Sequence, residues 1–330
     1  MSKQSLVEPV QLEDGAQLTP LEPDEFPAAM DCLEEAFPKT PRGFFYAITH
    51  NDPGYQPGLS LAVRKGRRVL SFLQIFPRVL MLQGAQLPFG GIGSVGTRPE
   101  SRGRGYASAL LDYSLGVMRQ HGMRGAMLFT SIQSFYEKQG WQVLERYEQS
   151  LSVEPLRMFR SHEIETVPLT AEDANRLLML YQAQGESRTA WFPRSLDYWR
   201  QRATWMSHPG WIVKRNGEMQ GYMYACQFQA NQPILSITEC GVQPGDDQAI
   251  ETMLGAMAEK AEALRCHTLR GFFHLQPELY NYLKEHEQIG ALHPHRYMMW
   301  RDLSAQDAYF ATLQQAAHSR QFLYWTTDAF

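Results

Sequence analysis

The feature that most limits what this chain can fold into is an order of elements that runs through it twice. Each half reads as a helix, an antiparallel hairpin, a further strand, a loop with proline and glycine, a helix, a strand and a short helix. The interval from Pro99 to Tyr136 in the first half is matched within one position by that from Pro244 to Tyr280 in the second. Such self-similarity means one structural unit present in two copies, and 330 residues exceed what one core usually supports. The expected architecture is two tandem domains of the α+β (mixed α/β) class, each a twisted mixed sheet flanked by helices. Their expected bounds are residues 1–153, a polar linker over 154–165, a second domain over 166–303 and a tail over 304–330.

In the first half an amphipathic helix runs through Phe26, Met30, Leu33 and Phe37. Residues 59–63 and 69–82 read as strands joined at Lys65-Gly66, and Pro77 is expected to bulge or break the second. Residues 86–97 form a strand rich in glycine. A helix follows with Ala107, Leu110, Leu111, Ser114, Leu115 and Met118 on one face, and it ends at His121-Gly122. Residues 125–130, 135–139 and 142–153 then read as strand, helical turn and strand. In the second half residues 170–184 read as a helix, 211–213 and 221–226 as strands around Asn216-Gly217, and 234–242 as a strand. Residues 249–264 follow as a helix, 268–273 as a strand and 277–284 as a short helix. The tail carries a helical stretch over 309–317.

Arg102, Gly103, Arg104, Gly105, Tyr106 and Ala107 carry the chemistry. Two glycines one residue apart let the backbone turn tightly and approach a ligand. They stand where a helix begins, so amides without intrahelical partners and the positive end of the dipole face outward. Two arginines flank them with donors suited to phosphate oxygens. The set suits a pyrophosphate; an ordinary basic turn and a nucleic-acid phosphate contact are the alternatives. A Walker A loop is excluded because no Gly-Lys-Ser/Thr follows, and a dinucleotide-binding loop would need a parallel strand before it rather than antiparallel hairpins.

The wider segment Val95-Gly96-Thr97-Arg98-Pro99-Glu100-Ser101-Arg102-Gly103-Arg104-Gly105-Tyr106-Ala107 resembles the acyl-CoA motif of the GNAT N-acetyltransferases. That motif is a strand ending V-x-[VT]-x-P, then [QR]-x-x-G-x-[GA] opening a helix; Arg102, Gly105 and Ala107 stand at its defined positions. Downstream, Phe135-Tyr136-Glu137-Lys138-Gln139-Gly140-Trp141 resembles the family's F-Y-x-x-x-G-[FYW] signature. The resemblance implies two tandem GNAT-like domains and acetyl-CoA as co-substrate, with no metal. Val95, Gly96 and Thr97 would present amides to the thioester and pantetheine arm. Amides of Gly103, Arg104, Gly105, Tyr106, Ala107 and Ser108 would hold the pyrophosphate, and Ser131 would lie near the pantetheine or the thiol. Tyr136 matches the family's general acid, a phenol able to protonate a departing thiolate, while Tyr106 packs or flanks the cofactor.

The implied reaction transfers acetyl to a primary amine by direct attack in a ternary complex, since no cysteine lies near the motif to carry the acyl group. The strand before the motif holds no carboxylate to serve as base; Asp31, Glu34 and Glu35 on the first helix are candidates. The tandem arrangement also resembles the Eis family (enhanced intracellular survival acetyltransferases), in which a third, sterol-carrier-like domain follows and the chain's terminal carboxylate is the base. This chain ends in Phe330, the residue that ends that family's chains, but the tail after Asp302 is too short for such a domain. The resemblance further implies a small-molecule or protein amine as acceptor and assembly of several copies. The second half has Gly245-Asp246-Asp247-Gln248-Ala249 where the first has its motif. Carboxylates there favour a helix start but repel a pyrophosphate, so this half is expected to be a structural copy.

Composition bounds the remainder. A formal net charge of −4 argues against a nucleic-acid partner. No stretch reaches the ~18 apolar residues that span a bilayer, and the start of the chain lacks a secretory signal. Four scattered cysteines fit a reduced, cytoplasmic protein. His293-Pro294-His295 is expected to be a surface turn rather than a metal site. Trp191, Tyr198, Trp199 and Trp205 read either as core or as an aromatic acceptor pocket. Two other functions suit the same residues: a non-catalytic acyl-CoA sensor or scaffold, and a transferase of a different acyl group to an amino acid or peptide amine.

Overall fold

The protein is described from a computed structural model over residues 8–202, 209–229, 231–305, 308–325 and 328. In chain order the first elements are β1 (Val10–Gln11), β2 (Gln17–Pro20), α1 (Phe26–Ala36), α2 (Phe44–His50), β3 (Ser60–Lys65), β4 (Arg68–Leu82) and β5 (Ala85–Thr97). They are followed by α3 (Tyr106–Gln120), β6 (Gly125–Phe129), α4 (Gln133–Glu137), β7 (Gln142–Val143), β8 (Arg146–Ser152), α5 (Val153–Leu156) and β9 (Ile164–Pro168). Next come α6 (Ala174–Gly185), β10 (Ala190–Trp191), α7 (Leu196–Arg202), β11 (Gly210–Arg215), β12 (Glu218–Cys226), β13 (Ile234–Val242) and α8 (Asp247–Ala263). The chain closes with β14 (Thr268–Gly271), α9 (Pro277–Glu285), β15 (Leu292–His295), β16 (Met298–Asp302), α10 (Tyr309–His318) and β17 (Phe322–Leu323). None of the described helices is long and apolar enough to cross a membrane.

The chain divides into two compact units, and the division is not the linear one expected. Of the described residues, the first unit takes those up to Leu144 and again from Arg296 to Leu313; the second takes Glu145–His295 and those from Gln314 to Asp328. Boundaries at 153 and 303 are therefore corrected. Residues 154–165 are no linker either: α5 and a 3-10 turn (Arg157–Phe159) run into β9, and Leu156 is buried in the second core with Phe159 packed against it.

In the first unit the strand order is β1-β2-β3-β4-β5-β6-β16-β7. All neighbours are antiparallel except β5 and β6. The central strands are buried on both faces, which is why they read as continuous apolar runs. Leu61, Val63, Leu73 and Ile75 pack beneath Leu110, Leu111, Leu115 and Met118 of α3. Their strand neighbours Ala62 and Phe72 point the other way, against Phe26, Met30 and Leu33 of α1. Pro77 neither bulges nor breaks β4, for it pairs with Gly90 in register. It lies past Ser60↔Gln74, where pairing with β3 ends, so its missing N–H removes no bond from that ladder. The irregularity falls at Leu73 instead.

In the second unit the order is β15-β8-β14-β13-β12-β11-β9, again antiparallel except for one pair, β13 and β14. Helix α8 buries Ile250, Met253, Leu254 and Met257 on this sheet. His293-Pro294-His295 is not a surface turn: it lies on edge strand β15, paired with β8, where a proline is tolerated. Trp199 and Tyr198 are buried in the core, and Trp191 packs against it. Of the two readings, the described aromatics take the core one; Trp205 lies outside the described residues.

Candidate functional site

The site is built where β5 leaves its neighbours. Parallel pairing with β6 ends at Ile92↔Leu128, and beyond it the edge of β5 that faced β6 has no strand partner. On its other edge β5 has a bulge: Phe72 faces Gly96 and Gln74 faces Gly93, so Leu73 is opposed by both Ser94 and Val95. Val95 packs against the α3-side core. Gly96 is covered by α1, and a Cβ there would come within 2.7 Å of Leu33 Cδ2, so only glycine admits the helix this close. Its carbonyl accepts a hydrogen bond from Ser71 Oγ at 3.0 Å, and the Ser71 and Thr97 hydroxyls are 2.7 Å apart.

After a 3-10 turn (Pro99–Ser101) the chain makes two left-handed turns, at Gly103 (φ 78°) and Gly105 (φ 77°), before α3 begins. The first amide of this segment to find a backbone acceptor is that of Ala109, which donates to Gly105 at 2.9 Å. The backbone amides of residues 103–108 donate to no acceptor among the described residues. Gly103, Arg104 and Gly105 are exposed, and Ala107 and Ser108 are partly so. Unpaired donors at the positive end of a helix of fifteen residues have the chemistry that suits an anion.

The side chains around this loop hold it in place. Arg102 donates from Nε to the Thr97 carbonyl at 3.3 Å and from Nη2 to the Ala36 carbonyl at 3.0 Å. It therefore ties the loop to β5 and to the end of α1, with two of its five N–H donors engaged. Arg104 is exposed and lies 3.6 Å from Asp14, which also takes the Tyr106 hydroxyl and pairs with Lys65 at 3.1 Å. The Tyr106 hydroxyl, the Ala16 amide and Lys65 together hold the Asp14 carboxyl well below the usual range. Tyr106 itself is buried, and burial with the Asp14 hydrogen bond raises its phenol.

Ser131 is exposed just past β6. Tyr136 on α4 is buried in the same cluster as Ile92 and Val95, edge-on to Phe135 at 4.9 Å and to Trp141 at 6.3 Å. No hydrogen bond reaches its hydroxyl among the described residues, and burial pushes its pKa up to about 12. The phenol stays protonated across the whole physiological range. Phe330 lies outside the described residues.

Of the three carboxylates on α1, Glu35 pairs with the buried Arg98, whose Nε also donates to the Val69 carbonyl at 2.6 Å. Glu34 accepts from the Gly43 amide at 3.3 Å and lies 3.6 Å from Arg42. Asp31 and Glu34 line a cavity of about 280 Å³ together with Met30, Phe45 and Tyr46. Sequence reasoning missed Ser94, Arg98 and Asp14. Asp14 carries no local signal, Arg98 looks like one more exposed arginine of a basic loop, and Ser94 is marked only by the glycines around it.

The second unit repeats the frame without the donors. Gly245 is again left-handed, at φ 73°. Here the Asp246 side chain caps α8 by accepting from Gln248 N at 2.9 Å, and Glu278 accepts from the Gly245 amide at 2.9 Å. Carboxylates thus occupy the loop that would face a phosphate.

Residues 17–144 match the family model of the acetyltransferase (GNAT) domain. No curated protein matches the chain. Among solved structures, a GCN5-related N-acetyltransferase from Kribbella flavida is similar at 19% identity and TM-score 0.65, over 87% of this chain and 71% of that one. A GCN5-related N-acetyltransferase from Anabaena variabilis is similar at 17% identity and TM-score 0.64, over 88% and 73%. Eis1 from Mycobacterium abscessus is similar at 15% identity and TM-score 0.58, over 88% and 74%. These likenesses establish a shared fold.

Proposed function

We propose that this chain, which carries a GNAT acetyltransferase domain over residues 17–144, is an acetyl-CoA-dependent N-acetyltransferase acting on a primary amine. The observation that carries the reading is the run of unpaired amides over residues 103–108, opened by two left-handed glycines at the start of α3. A pyrophosphate fits it by chemistry: it brings acceptors only, and its negative charge suits the helix end. The acetyl thioester supplies an activated acyl carbon: the amine lone pair forms the C–N bond, the C–S bond breaks with its pair on sulfur, sulfur gains a proton and nitrogen loses one.

The chain's own groups then have distinct parts. The bulged end of β5 offers fixed backbone amides where charge builds on the acyl oxygen, which lowers the barrier without reorganisation. Tyr136 holds a proton on a phenol that burial keeps protonated and gives it to the departing sulfur, regaining it from solvent. Arg102 holds the loop in place by tying it to the end of β5 and the end of α1. The acceptor is a small-molecule or protein amine.

The test is calorimetric titration of the full chain with CoA and acetyl-CoA, joined to a thiol-release assay over a panel of primary amines. Binding together with amine-dependent release is expected. No CoA binding refutes the reading, and binding without release for any amine supports an acyl-CoA sensor instead.

A further inference from the structure

We propose that the side-chain hydroxyl of Ser94 donates a hydrogen bond to the acyl oxygen during transfer, a part that rests on the acyltransferase reading above. Ser94 stands two residues past Ile92, where β5 parts from β6, and inside the bulge opposite Leu73. Two features of it call for a reason. Its backbone is left-handed, at φ 54°, a region that serine adopts at a cost and that glycine adopts freely. Glycine stands at positions 93 and 96, yet the strained position itself carries a side chain. That side chain ends in a hydroxyl shut off from solvent with no hydrogen-bond partner among the described residues. Strain and an unsatisfied buried donor coincide where function can use both.

The second unit shows what a side chain at this point of the fold does. There parallel pairing ends at Ile237↔Gly271, and the bulge falls at Thr238. Two residues past Ile237 stands Glu239, fully buried, whose carboxylate accepts from Arg194 at 2.6 and 2.9 Å and from the Tyr222 hydroxyl at 2.8 Å. The guanidinium it holds lies against the rings of Tyr181 (4.0 Å) and Trp199 (4.6 Å). The polar end of the side chain at this position is thus used to grip a group beside the parted strands. In the second unit that group is the chain's own arginine, and in the first unit the serine hydroxyl has no such partner.

Chemistry then selects the ligand atom. A carboxylate at this position would repel the charge that builds on an acyl oxygen; a hydroxyl can rotate its proton toward it. The proton stays on Ser94 throughout, because the hydrogen bond only stabilises the charge, and the proton that sulfur takes comes from Tyr136. Tyr136 shares its packed cluster with Ile92 and Val95, the residues that flank Gly93 and Ser94 in the strand.

The test uses two variants of the full chain, since alanine keeps the strained backbone and glycine relieves it. Ser94→Ala and Ser94→Gly are both expected to lower kcat on the order of a hundredfold. KM for acetyl-CoA and the Kd for CoA should stay within about threefold, as for a donor whose bond is weak to the bound thioester and strengthens as charge builds on the acyl oxygen. With acetyl-CoA carrying ¹³C at its carbonyl and no amine present, the infrared carbonyl stretch of the bound thioester should move to higher frequency in both variants. A kcat unchanged in both, or lowered by alanine and restored by glycine, overturns the proposal and assigns Ser94 a backbone role. A wild-type chain that binds no CoA or turns over no amine refutes the parent reading instead, and this inference with it.

Discussion

Replacing Gly105 by alanine and, separately, by glutamate divides geometry from charge at the anion site. Gly105 has φ 77°, and a Cβ built on it meets nothing within 4 Å. Alanine therefore enters without a clash, and its cost is the left-handed backbone, about 1–2 kcal/mol. For a chain of this size that lowers Tm by roughly 2–4 °C per kcal/mol. Glutamate bears the same backbone cost but adds a charge to a loop meant for a pyrophosphate. One charge pair about 5 Å apart is worth about 3 kcal/mol at an effective dielectric of about 20. Gly105 is exposed, so solvent and salt reduce this to about 1–2 kcal/mol, or roughly 5- to 30-fold in Kd. CoA titrations of the two variants at matched Tm should differ by that factor, and raising salt to about 0.5 M should narrow the gap. Equal CoA affinity in the alanine and glutamate proteins would refute the placement of the phosphate on this loop.

Tyr136→Phe keeps the buried ring and removes a hydroxyl that has no partner, so Tm should hold or rise slightly while kcat falls about 100-fold or more and CoA affinity is unchanged. Because the folded phenol is raised to about 12 against about 10 when unfolded, its stabilising effect is complete below pH ~10 and fades toward pH ~12. The kcat profile should accordingly show no falling limb from this group below about pH 10, as a pH series in stopped assays would reveal. Trp300→Ala removes a fully buried ring that packs on Phe89 at 5.7 Å; a loss of about 3–5 kcal/mol is expected in denaturant melts. Arg194→Met takes the guanidinium from between the buried Glu239 and Asp328 carboxylates; about 3–5 kcal/mol should be lost in the same melts, with a chain as stable as wild type counting against the triad.

What was legible in the sequence is what local periodicity writes. Strand β13 spans Ile234–Val242 as read, and α3 buries Leu110, Leu111, Ser114, Leu115 and Met118 as its spacing predicts. The tight turns at Gly103 and Gly105 were legible too, because left-handed turns before a helix leave few other residues suitable. Long-range pairing was not. β16 follows the second unit in the chain yet pairs with β6 and β7 of the first sheet, and β8 joins β14 and β15 in the second. Nothing in a run of five or seven apolar and polar residues states which distant edge it will complete. The same holds for Arg102, whose basic character suggested a ligand while two backbone carbonyls engage it. Asp14 lies on a turn far from the motif in sequence, and the serine at the bulge is strained only once β4 has paired around it.

The two phosphate-loop positions show how one frame is kept open or closed by a few side chains. Both loops have a left-handed glycine and both lead into a long helix with unpaired first-turn amides to satisfy. In the second unit the chain satisfies them itself, with the Asp246 cap and the Glu278 carboxylate, and its parted strands hold Arg194 on Glu239. In the first unit the corresponding donors and the Ser94 hydroxyl are left without acceptors. Unmet donors cost about 1–3 kcal/mol each where they are buried, and the first unit can keep them because a large double-faced core supports its sheet. The closed loop meets its own donors, and the open one leaves them for the anion of the proposed reading. The chain's capacity for chemistry therefore lies in the donors it declines to satisfy.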